Sequence, residues 1–270
     1  MNKITISLVC ALFSTILPSF AQVSESTPYE NKTYFITGVG GSYVNVIDEG
    51  ISPLLYKGVG GGAVLGHYRE TGKSIAQSTA RFDFNNPISS ISGAEMYTYR
   101  VEGVYQHYFK LPAQEDRKLK IHPGAALLGR WVLRDHLNFT NNSQHIETRF
   151  SLAPSVLLQL PFSLFSRKFE TGIFSQIPII TYASRPIFAS TKFSASLNKD
   201  EASFFDYLKG GQVTSFGNYF RWSAQSYLLF HLKNNNAIRF DYFWMYEDYN
   251  SINPITTGEH SIMLSTFFKL

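Results

Sequence analysis

The sequence predicts an all-β protein, a single antiparallel up-and-down transmembrane β-barrel of about ten strands. Three observations point there. The chain opens with an export segment, its composition is aromatic and charge-poor without a long apolar run, and ten stretches alternate between apolar and polar residues.

In the first stretch, Lys3 holds the only charge before Glu25, and Ile4 to Leu17 is apolar or hydroxylic. Pro18-Ser19-Phe20-Ala21 follows, with small residues at the two positions a signal peptidase reads. Residues 1–21 are therefore read as a signal peptide, cleaved between Ala21 and Gln22. Residues 22–270 then form one barrel domain of about 250 residues. Cys10, the sole cysteine, leaves with the peptide, so no disulfide staples the remainder.

Hydrophobic residues make up 44% of the chain and charged residues only 16%, against about a quarter in soluble proteins. Yet no run after residue 21 approaches the roughly 20 apolar residues of a spanning helix. In lipid every backbone polar group needs a partner within the protein, and a closed barrel supplies one. The net charge of +4 is spread without a basic block, which argues against a nucleic-acid partner.

The ten alternating segments are Thr33–Val46, Lys57–Arg69, Ile75–Phe84, Tyr97–Lys110, Leu119–Arg134, His145–Leu160, Lys168–Tyr182, Tyr219–Leu232, Ala237–Glu247 and His260–Leu270. The last is plainest: Ile262, Leu264, Phe268 and Leu270 fall on one face, Ser261, Ser265 and Lys269 on the other. Lipid outside and a polar lumen demand this period of two, although a soluble sandwich alternates as well. Pro154, Pro178 and the run Gly58–Gly62 mark the weakest segments.

Connections distinguish the two. Glu70–Ser74, Leu111–Lys118, Pro161–Arg167 and Lys233–Asn236 read as short turns, whereas Ile47–Tyr56, Asn85–Met96, Asp135–Gln144 and Asp248–Glu259 read as longer loops. The longest loop spans about 183–218. Short periplasmic turns facing long outer loops are a barrel's asymmetry, and an even strand count leaves both termini in the periplasm. Two further strands in the long loop, near Phe188–Leu197 and Gln212–Tyr219, would give twelve instead.

Taken together, the leader, the segments Ser52–Gly58 and Gly62–Tyr68, and the ending His260–Leu270 resemble outer-membrane β-barrel proteins of Gram-negative bacteria, of the Bacteroidota type. The resemblance implies residence in that membrane's lipid, with periplasmic chaperones and the barrel-assembly machinery as partners during biogenesis. In that class the final strand usually ends on an aromatic residue; here Leu270 ends it, with Phe268 two places earlier. The resemblance is architectural and names no functional family.

Candidate functional residues are those aimed at the lumen: Arg81, Asp83, Arg100, Glu102, Lys120, Arg130, Glu147, Arg149, Arg221, Arg239 and Asp241, with Gln77, Gln106 and His122. A ten-stranded interior is narrow enough to be filled by side chains. Buried charges must pair, so one reading is an interlocked core and a structural barrel. The other is a narrow, porin-like channel, slightly cationic, for anionic or zwitterionic solutes. No cofactor or metal is implied, because the histidines fit no ligand spacing.

A hydrolase at the outer rim is a third possibility. It would draw on Asp135-His136, His145 and Glu147, or on Glu259-His260-Ser261. The aromatic long loop, with Phe188, Phe193, Phe204, Phe205 and Tyr207, suggests docking within an envelope complex or folding over the mouth.

Overall fold

The structure, a computed structural model, describes residues 31–112, 118–138, 144–165, 167–185, 208, 211–251 and 253–270. The expected signal peptide at 1–21, the segment Phe188–Leu197 and most of the loop 183–218, with its aromatics, lie outside the described residues.

Thirteen strands follow in order: β1 (Lys32–Asp48), β2 (Ser52–Glu70), β3 (Ser74–Asn85), β4 (Ile88–Ser89), β5 (Met96–Phe109), β6 (Lys120–His136), β7 (Gln144–Leu164), β8 (Arg167–Gln176), β9 (Ile180–Ser184), β10 (Gln212–Thr214), β11 (Tyr219–His231), β12 (Ala237–Tyr249) and β13 (Ile255–Lys269). All pairings are antiparallel, and β13 returns to β1, so the sheet closes on itself. The wall has ten strands rather than twelve. β8 and β9 are two halves of the seventh, β10 and β11 two halves of the eighth, and β4 is a short rung on β2.

Alternation fixes which face is which. On β13, Ile262, Leu264 and Phe268 are exposed while Ser261, Met263, Ser265 and Phe267 are buried; on β12, Phe240, Tyr242 and Tyr246 are exposed while Arg239, Asp241 and Glu247 are buried. The apolar face looks outward and the charged face inward, the reverse of a soluble sandwich. Two glycines permit the tight coil of β1 and β2. A Cβ on Gly40 would collide with the Ile262 carbonyl oxygen, and one on Gly60 with that of Phe84.

The seventh strand breaks around Pro178, which has no N–H to give the ladder. Between the pairs Ser155↔Gln176 and Leu152↔Ile180, β7 advances by fewer residues than its partner, so the partner carries a bulge. The bulge shifts the alternation: Gln176 and Thr181 are both buried. Opposite it, the eighth strand bows out at 215–218, where Gly217 takes φ +102°.

The loop reading needs correction at both ends of the barrel. Ile47–Tyr56 is not a long loop: β1 and β2 run on to Asp48 and Ser52, and a tight turn at 49–51 joins them, with Ile51 N–H bonded to Asp48 O at 2.9 Å. The last strand likewise begins at Ile255, and β7 continues through Pro161 to Leu164. Strand ends that carry Asp48 or Glu259 read as loop because polar residues also mark turns. Here those side chains point inward and are buried. The long-short rhythm therefore holds only in part.

Candidate functional site

The lumen is filled by side chains in the same order along several strands. Starting remote from the termini, β5 presents Met96, then Arg100 and Glu102, then Tyr108; β11 presents Tyr219, Arg221 and Tyr227; β13 presents Ile255, Glu259 and Phe267. Apolar residues thus bracket a charged layer.

The upper bracket packs Val46, Tyr56, Met96, Tyr219, Tyr249 and Ile255 into one cluster drawn from six strands. Tyr56 reinforces it through a 2.7 Å hydrogen bond between its hydroxyl and His136 Nε2. The lower bracket is aromatic. Tyr34, Tyr68 and Phe267 meet edge-on or tilted at about 6 Å, and Tyr108, Phe174 and Tyr227 continue the ring. A shallow pocket opens beneath this floor, edged by Lys32, Glu70, Glu170 and His231.

Between the brackets lie two linked groups of ions. Arg81 and Arg100 share Asp83, at 2.8 Å each, and both reach Glu259. In the larger group Glu247 takes Arg130 and Arg149, and Glu147 takes Arg134, Arg149 and Arg185 at 3.4, 2.9 and 2.9 Å. Asp48 accepts from Arg185 and lies 3.3 Å from Arg134, and Arg221 holds Glu102 at 2.8 Å. Arg149 also lies over the Tyr219 and Tyr249 rings, at 5.1 and 5.2 Å. Every acid except Glu102 touches two guanidinium groups or more. This sharing lets side chains so fully buried keep their charge, since Arg presents five donors in a planar fork.

Of the residues singled out from sequence, Arg81, Asp83, Arg100, Glu102, Arg130, Glu147, Arg149 and Arg221 come together here. Arg239 and Asp241 form a separate pair at 2.9 Å, with Arg239 donating to Gln77 and lying 4.6 Å over Phe267. Gln106 donates to Gln176 at 3.1 Å. Lys120 sits half-buried at the end of the barrel that carries Lys32 and Leu270, apart from both groups. Asp48, Arg134, Arg185, Glu247 and Glu259 complete the network, and sequence reasoning left them out of the candidate set. Arg134 and Glu247 already fall on the charged face of their predicted segments, and extending the alternation past Val46 and His260 adds Asp48 and Glu259; Arg185 follows the bulge, which alternation does not reveal.

The hydrolase groupings do not assemble. Glu259 and Ser261 face the lumen, whereas His260 faces out and bonds the Tyr242 hydroxyl at 2.6 Å. His136 and His145 are buried inside while Asp135 is on the opposite face of β6. Among the described residues, no three metal-ligating side chains cluster.

No family model and no curated protein matches the chain. Solved structures do resemble it. The transport unit of the autotransporter AIDA-I from Escherichia coli is 7% identical, with 96% of each chain covered and a TM-score of 0.41. The β domain of the Bordetella autotransporter BrkA is 8% identical, with 89% of this chain and 99% of that one covered, at 0.42. Neisserial surface protein A is 9% identical, with 87% and 97% covered, at 0.36. The likeness is one of architecture, and the chain's closure into an antiparallel barrel rests on its own strand pairing.

Proposed function

We propose that the protein is an integral outer-membrane barrel whose lumen is shut to ions, serving as a membrane-spanning structural element with both termini in the periplasm. The observation that carries the reading is the doubly sealed charged layer. An ion would have to break shared guanidinium–carboxylate pairs and then pass packed apolar rings on either side. The outer surface supports the membrane assignment. Phe35 aligns with His67 and Phe268 in one row, and Tyr43 aligns with His260 and through it with Trp244 in another. Those rows are eight residues apart on β1, about 26 Å along the strand and about 20 Å along the membrane normal at a tilt of about 40°, which fits within an apolar band of about 25 Å.

The refolded protein in a planar lipid bilayer is expected to show no steady conductance. A stable conductance from wild-type protein would overturn the closed-lumen reading. One observation favours the channel alternative: seven arginines meet six acids in the network of ion pairs. A conduit opened through this layer would prefer anions, so ion selectivity distinguishes it from leakage around a misfolded wall.

A further inference from the structure

The turn between β7 and β8 differs from the other turns at the same end of the barrel. β7 makes its last pair with β6 at Gln159↔Lys120, yet it runs on to Leu164; β8 makes its last pair with β11 at Phe169↔Phe230. The tip is thus a two-stranded ribbon whose outer edges pair with no strand among the described residues. Leu160, Phe162 and Leu164 are exposed in one outward row, and Phe162 stacks on Phe169 at 5.4 Å, which in turn meets Phe230 at 5.0 Å. Phe165, at the apex, is 90% exposed and takes φ +48°.

Both properties of Phe165 are unfavourable in water. A bulky side chain is sparsely found in the left-handed region, and such an outlier at an exposed site points to a role. The turn between β11 and β12 meets the same backbone demand with Asn235 at φ +64°, and the turn between β2 and β3 is built on Thr71 hydrogen bonds. Beside Phe165 stand Arg167 and Lys168, both exposed, with no ion pair among the described residues. An apolar apex flanked by cations on an outward row continuous with the lipid-facing wall is the pattern of a membrane-interface anchor.

We infer that the β7–β8 turn is a foot that inserts Leu164 and Phe165 into the periplasmic leaflet, with Arg167 and Lys168 bound to anionic phospholipid headgroups. The inference rests on the membrane-spanning reading above. It gives this rim a lipid preference that the polar turns lack.

Nitroxide labels test it, in the full chain carrying Cys10→Ser. Labels go on Phe165→Cys, on Leu264→Cys in the middle of the outer wall and on Asn234→Cys in a polar turn. Collisions with oxygen and with a water-soluble nickel chelate are compared in vesicles of phosphatidylcholine and phosphatidylglycerol. The oxygen-to-nickel ratio at 165 is expected to exceed that at 234 by about threefold or more. Adding Arg167→Gln with Lys168→Gln should pull it back toward the value at 234. A lipid-like ratio at 264 with a water-like ratio at 165 would overturn the foot and leave the barrel reading standing. A water-like ratio at 264 would instead overturn the membrane wall itself. A ratio at 165 indifferent to neutralising both cations would sink the anionic-headgroup assignment.

Discussion

Two seams of the barrel close by different means. Where the first and last strands meet, β1 and β13 pair without a shift from Tyr34↔Lys269 to Asp48↔Ile255. Between the seventh and eighth strands, pairing runs from Phe169↔Phe230 to Gln176↔Ser223, stops, and resumes only for Thr181↔Thr214 to Ala183↔Gln212. The lumen contents differ in step. Along its middle the whole seam presents mostly small residues to the lumen, Gly38, Gly40, Ser42, Ser261 and Ser265, with Met263 among them. Against the broken one, long side chains cross over: Arg149 reaches Glu247 and covers Tyr219 and Tyr249, Arg185 reaches Asp48 and Glu147, and Gln212 donates to the Tyr249 hydroxyl at 2.8 Å and to Ser251 Oγ at 2.6 Å. A wall missing backbone bonds is held by what fills it.

The largest expected effect breaks the broken seam. Arg149→Ala leaves Glu247 and Glu147 short of a partner in a buried site, and should cost about 3–5 kcal/mol, read from urea unfolding in vesicles. Ser265→Ala on the whole seam should cost almost nothing, because that hydroxyl has no hydrogen-bond partner among the described residues. Equal losses would erase the contrast. Next, Gly40→Val forces a side chain onto the Ile262 carbonyl and should cost about 2–3 kcal/mol, seen as a smaller heat-modifiable folded fraction on gels. Third, amides of 219–222 should exchange with deuterium about tenfold faster than those of 39–42, roughly 1.4 kcal/mol of local stability. Uniform protection would mean that the gap is closed in solution. Smallest, Gln212→Ala should cost about 1 kcal/mol by the same unfolding measurement.

The ten wall strands were legible because an apolar outer face and a polar inner face impose alternation residue by residue, as along Ile238–Glu247. The strand ends were not. Toward the strand ends the outer face loses its apolar run and polar residues also mark turns, so Asp48 and Glu259 read as loop. The break in the seventh strand was half visible: Pro178 marked it, but the bulge that turns Arg185 inward depends on the partner's register. The charged interior was legible as a set of residue types, whereas its pairing depends on which strands lie across the lumen.

That pairing has a consequence for assembly. Arg100 and Glu259 are 159 residues apart in the chain, Arg81 and Glu259 178, and Arg221 and Glu102 119. The early strands neutralise their arginines only in part, through Asp83, Asp48 and Glu147, so a sheet built without Glu247 and Glu259 would carry unmatched positive charge on its concave face. Glu259 sits on the last strand to be made. The barrel therefore has no comfortable halfway state: the same step that joins its two edges also extinguishes the charge within.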